Sequence, residues 1–144
     1  MNQLHVGFGR VNITPAMGTP IGGYYVVRLA EKVLDELEAN AVAFAMGDKK
    51  ALLISADISG LFYQFAEPLC QHISKETGVP ADCIFITCTH THTGPVPNSS
   101  LVHSEDEPVN EPFIAALPYY ALSAAQGAIA DLREASVLGA QSEL

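Results

Sequence analysis

A chain of 144 residues suffices for one ordinary domain with a core of its own and is short for two. With 49% hydrophobic and 16% charged residues, the composition excludes a disordered chain. Sixteen acidic residues against seven basic ones, a net charge of −9, argue against partners that need clustered Lys and Arg, whether nucleic acid or an anionic membrane surface.

The three cysteines, Cys70, Cys83 and Cys88, are odd in number and unpaired in spacing. They imply no disulfide framework and read as small apolar side chains in a reducing compartment. The first residues lack a basic stretch followed by an apolar one, and no apolar run approaches the roughly 18–20 residues of a membrane span. With Met1 as the true start, the expectation is a cytoplasmic protein with no stable membrane insertion.

In chain order, residues 6–13 read as a short strand entering a turn at Thr14-Pro15, because the residue before proline is pushed to extended geometry. Residues 16–25, with Gly18, Gly22 and Gly23 around Pro20, have too little side chain to pack as regular structure and read as a loop. Residues 39–46 and 51–55 form an antiparallel strand pair across a Gly47-Asp48 turn. Leu61, Phe65, Leu69 and Ile73 recur every four residues, the core stripe of a helix. Pro68 then lies in or near its first turn or marks a kink, and Gly78 ends it, with Pro80 preventing resumption.

Residues 83–87 are an apolar run of strand length. A polar loop follows at 97–110, and Pro112 can open a second helix striped by Leu117, Ala121, Ala125, Ile129 and Leu132, with Pro118 as an early break. Residues 135–140 resemble a last strand. The order β-β-β-α-β-α-β indicates an α/β fold, a mixed sheet flanked by helices in a single domain.

Chemistry concentrates in Thr89-His90-Thr91-His92-Thr93-Gly94-Pro95. In extended chain, residues two apart share a face about 7 Å apart, so Ile84, Ile86, Cys88, His90 and His92 have one parity. The apolar members can face the core while both imidazoles emerge from the carboxyl end of the strand, where open α/β sheets place ligands. Two such imidazoles can converge on one metal ion, or on an ion and its substrate. The flanking threonines favour strand and can hydrogen-bond to the ligating rings. The bland alternative is two histidines fallen together by chance.

Asp57 follows a strand end of the same kind and can orient a histidine or hold a ligand in a catalytic role, or simply cap the following turn. Gly22, Gly23 and Tyr24 form either a flexible substrate loop or an ordinary turn. His5 and His103 read as surface residues, His72 as a helix-surface histidine, and Glu105-Asp106-Glu107 as a solvated acidic loop.

Four segments occur in this order: residues 6–15 (Val-Gly-Phe-Gly-Arg-Val-Asn-Ile-Thr-Pro), Gly22-Gly23-Tyr24, Leu53-Ile54-Ser55-Ala56-Asp57, and Thr89 to Pro95. Together they resemble the N-terminal portion of the catalytic domain in the neutral/alkaline, non-lysosomal ceramidases. That resemblance implies a zinc-dependent amidohydrolase that splits the N-acyl bond of ceramide into a sphingoid base and a fatty acid. It implies His90 as a zinc ligand, and His92 beside the ion, binding or polarising a small-molecule amide or lipid substrate. The family's other ligands, a further His, a Glu and a Tyr, belong to later sequence. The expectation is therefore an incomplete site, finished by a further segment or a second chain.

Two alternatives stand beside this reading. A metallo-β-lactamase pattern would continue with Asp and then His, where this chain has Gly94 and Pro95. A non-catalytic α/β module that binds a metal or a partner through the same edge would expose an apolar surface where the rest of a larger domain should pack.

Overall fold

The computed structural model describes residues 3–24, 26–95 and 110–142. Its centre is a five-stranded mixed sheet in the order β6-β5-β4-β1-β7. The strands are β1 (Leu4–Asn12), β4 (Glu38–Met46), β5 (Lys49–Ala56), β6 (Ile84–Cys88) and the two-residue β7 (Arg133–Glu134). Two helices, α1 (Tyr63–Thr77) and α2 (Glu111–Ala130), cover one face. A second sheet joins only β2 (Pro20–Ile21) and β3 (Arg28–Leu29). Taken along the main sheet, the elements follow the expected β-β-β-α-β-α-β order.

Local chemistry explains most boundaries. Gly47, at φ 63°, makes the tight turn that sets β4 antiparallel to β5 in register from Ala39–Ala56 to Met46–Lys49. Gly78 caps α1 in the left-handed conformation, its N–H donating to the Ser74 carbonyl. Asn110 caps α2, its side chain accepting from the Phe113 N–H, and Pro112 sits in the first turn. The α1 crossover then lays β6 parallel to β5.

The core lies between the sheet and α2. Ala39, Ala41, Ala43, Leu52, Ile54 and Ala56 alternate inward along β4 and β5, meeting Phe113, Leu117, Ala121, Ala124, Ala125 and Ala128 of the helix. Small residues on both sides bring the backbones close. A β-carbon on Gly7 would lie 2.7 Å from the Leu132 nitrogen, and one on Gly9 2.5 Å from the Ala128 nitrogen.

Several expectations need correction. The helix α2 runs through Pro118 without breaking, whereas Pro68 lies near the first turn of α1 as expected. Packing of the buried alanines on the sheet outweighs the single backbone hydrogen bond that a proline forfeits. The last strand comprises only Arg133 and Glu134, and the expected span from 135 to 140 carries no strand; Val137 and Leu138 are exposed. By length and composition α2 could cross a membrane, which counting unbroken apolar runs had missed, yet its apolar stripe is buried on the sheet. The loop at 97–110, except Asn110, lies outside the described residues, as do His103 and the acidic run at 105–107.

Candidate metal-binding turn

Strand β6 stops at Cys88, so the two histidines stand on the turn after it and not on the strand itself. Thr89 and His90 stay tied to the neighbouring connection, their N–H groups donating to the Ala56 carbonyl (3.0 Å) and the Ile58 carbonyl (3.1 Å). His90 adopts φ 61°, alone among the non-glycine described residues in having positive φ. That conformation is uncommon for a residue with a β-carbon and gathers at functional sites. It breaks the period-two alternation, so the pairing of the imidazoles arises from a turn and not from strand parity.

Both rings are solvent-accessible and edge-to-face, with centroids 4.8 Å apart. The Ser59 carbonyl accepts a hydrogen bond from His90 Nδ1–H, which fixes that tautomer and leaves Nε2 with a free lone pair. His90 Nε2 and His92 Nε2 stand 3.3 Å apart. Two ligands at about 2.0–2.1 Å from a tetrahedral zinc ion are separated by about 3.3–3.4 Å. The separation therefore suits one shared ion, and equally an N–H···N bond with His92 as donor. A backbone carbonyl behind a histidine is also the usual arrangement for a ligating imidazole. Among the described residues, no group of three or more His, Cys, Asp or Glu side chains could hold a metal.

The glycine loop braces this turn. Gly22 N–H donates to the Gly94 carbonyl at 3.0 Å, and Ile21 bridges to Pro95. Gly23 (φ 89°) lies flat against the His92 ring, and Tyr24 meets that ring edge-on at 6.3 Å. Arg28 in turn stacks over Tyr24, its guanidinium carbon 4.1 Å from the ring centre. Gly22, Gly23 and Tyr24 thus sit at the candidate site as supports of His92.

Asp57 is not joined to either histidine by a hydrogen bond. Its carboxylate accepts from the Glu38 N–H at 2.9 Å and fastens the end of β5 to the start of β4, a tie between strands and not a cap of the turn that follows. Thr91 and Thr93 bond to each other at 3.0 Å, so the expected hydroxyl support for the imidazoles is absent from this turn. His5 is half-buried beside the Gln3 carbonyl, and His72 is half-buried against Tyr119.

A cleft of about 910 Å³ opens beside this turn, between residues 14–37 and the end of the sheet. Thr89, Thr91, Thr93, Gly94 and Asp57 line it, but neither imidazole does. Sequence reasoning missed Ser59 and Arg28. Ser59 acts through its backbone, which leaves no residue-type signal, whereas Arg28 beside a loop tyrosine could have been noticed as a cation–π pair.

No protein-family model and no curated protein sequence matches the chain. Solved structures do. Over 93% of its length the chain superposes on neutral ceramidase from Pseudomonas aeruginosa, with a TM-score of 0.77 and 18% identity. A structure described as ceramidase complexed with C2 gives a TM-score of 0.75, again at 18% identity and 93% coverage. The chain spans 22% of each of those chains. The fold is ceramidase-like.

Proposed function

We propose that this ceramidase-like fold carries part of a zinc-dependent site for hydrolysing linear amides of the N-acyl-sphingosine kind. The observation that carries the reading is the convergence of His90 Nε2 and His92 Nε2 just beyond a central strand. His90 would hold the ion through Nε2, aimed by the Ser59 carbonyl. When bound, zinc supplies a Lewis acid that polarises a carbonyl and acidifies water.

His92 would do one of two things from its fixed position against Gly23: complete a second bond to the ion, or donate Nε2–H to the amide carbonyl oxygen. The resemblance in sequence favours the second. Catalytic zinc takes about three protein ligands. The reading therefore requires at least one more from outside the described residues, contributed by a further segment or chain. In this proposal the protein has no nucleic-acid partner and works in the cytoplasm.

Titration of the purified chain with Zn²⁺ and with Co²⁺, followed by calorimetry and by the visible cobalt bands, tests the metal. The expected result is weak binding that His90→Ala abolishes. Unchanged binding in a His90→Ala/His92→Ala double variant would sink the reading. A second reading, a non-catalytic metal- or partner-binding module, draws on the two-histidine donor set. It predicts metal binding without release of fatty acid from an N-acyl-sphingosine, even once the remaining ligands are supplied.

A further inference from the structure

The helices leave the other face of the sheet bare among the described residues. Phe8, Val42, Leu53 and Phe85 are successive register partners across β1, β4, β5 and β6, so their side chains form one row on that face. Phe8 is 60% exposed, Leu53 38% and Phe85 64%. Phe44 and Met46 extend the patch along β4, with Met46 also exposed. The strand residues between them, Gly7, Gly9, Ala41, Ala43, Leu52 and Ile54, are the ones turned to α2 and the core. The sheet is thus apolar on both faces and covered on one. A soluble sheet with one wet face alternates apolar with polar residues, and the central rows of this one do not. Contiguous exposed apolar rows mark interaction surfaces.

We propose that this bare face is the seat of a second β-sheet, carried by polypeptide equivalent to the part of a ceramidase chain that this chain does not span. The proposal rests on the ceramidase-like reading given above. Three observations select that occupant. The chain spans 22% of the ceramidase chains whose fold it shares, so most of such a unit lies outside it. The row is four strands wide and continuous, which suits a layer packed about 10 Å away in an aligned sandwich. The candidate metal turn also needs a ligand from elsewhere. A polypeptide seated on the sheet can reach the β6 end, because Phe85 stands only five residues before His90.

Polarity at the rim agrees. The next row holds Arg10, Asn40, Ser55 and Thr87, with Arg10 ion-paired to Glu38. An apolar centre with a polar border is the usual anatomy of a buried interface.

The test replaces Phe85 with the photoreactive p-benzoylphenylalanine, an aromatic-for-aromatic change at an exposed site, in the cells that make the protein. Peptides joined to it on irradiation are then identified by mass spectrometry. The expected product joins residue 85 to a strand segment that aligns with ceramidase outside the span matched here. Leu53→Glu in the same chain should lower the yield about tenfold or more, the effect of about 1.4 kcal/mol on affinity. Circular dichroism confirms that this variant folds. A crosslink to residue 8 or 85 of a second copy, to an unrelated protein, or to nothing overturns the proposal. Failure is separable from that of the metal reading. Loss of the crosslink with His90-dependent zinc binding intact refutes the docking alone, and the converse refutes the metal alone.

Discussion

A β-carbon on Gly23 would stand 2.6 Å from Nδ1 of His92, inside van der Waals contact with the ring. The loop that carries Gly23 and the turn that carries His92 are therefore fitted to each other at the level of single atoms. Neither can shift without the other, since Gly22 and Gly94 are also hydrogen-bonded.

Gly23→Ala should accordingly displace the His92 ring and strain a backbone held at φ 89°. The expected cost is about 1–3 kcal/mol in urea unfolding, together with weakened Zn²⁺ binding. A variant that keeps wild-type stability and an unmoved His92 imidazole resonance would show that the loop yields freely.

Asp57→Ala separates the structural role of that residue from a catalytic one. Removing the carboxylate orphans the Glu38 N–H, and charge-assisted hydrogen bonds of this kind contribute about 1.5–3 kcal/mol. Stability should fall by that order while Zn²⁺ affinity stays within about twofold, a difference of roughly 0.4 kcal/mol. A large loss of metal affinity at unchanged stability would restore Asp57 to the site.

Ser59 holds His90 through its carbonyl, whereas its own buried hydroxyl has no partner among the described residues. Ser59→Ala should be neutral or stabilising by about 1 kcal/mol, because it removes an unsatisfied polar group and keeps the anchor. Metal binding should persist. Marked destabilisation in thermal melts would mean that the hydroxyl is in fact bonded.

Burial pushes the thiols of Cys70 and Cys88 above their ordinary range. The folded chain then holds those protons to higher pH than the unfolded chain does. The associated stability is complete below about pH 8.5, the free-thiol value, and drains away as pH rises through the raised values. Urea midpoints should fall as pH rises above about 8.5. The fall should flatten in a Cys70→Ala/Cys88→Ala variant measured against its own neutral-pH midpoint. Equal slopes in both proteins would remove the thiols from the account.

Local signals carried the fold a long way. Gly47-Asp48 and Gly78 act through backbone conformation alone, so the hairpin and the end of α1 could be read from residue types. The four-residue stripe on α2 likewise reported a real buried face. The histidine turn was half legible. Its residue types locate the candidate site, yet their geometry depends on His90 taking a left-handed conformation, for which a histidine gives no local signal. The pairing of β2 with β3 is two residues long, too short to produce periodicity. Nothing local marks Gly7 and Gly9, because the need for their missing side chains comes from α2, far along the chain.

That last contact also sets an order of assembly. Strand β1 and α2 lie far apart in the chain, yet β1 seats directly on α2, and the Phe8 N–H donates across to the Asp131 carboxylate at 3.0 Å. The β4–β5 hairpin needs only its own two-residue turn. Closing a loop of more than a hundred residues is entropically slower than closing a hairpin. Pulse-labelled hydrogen exchange should therefore find β4 and β5 amides protected first, with β1 gaining protection only when α2 does. The meeting of β1 with α2, distant in sequence, should then pace the folding of this sheet, and the two glycines are what allow them to touch.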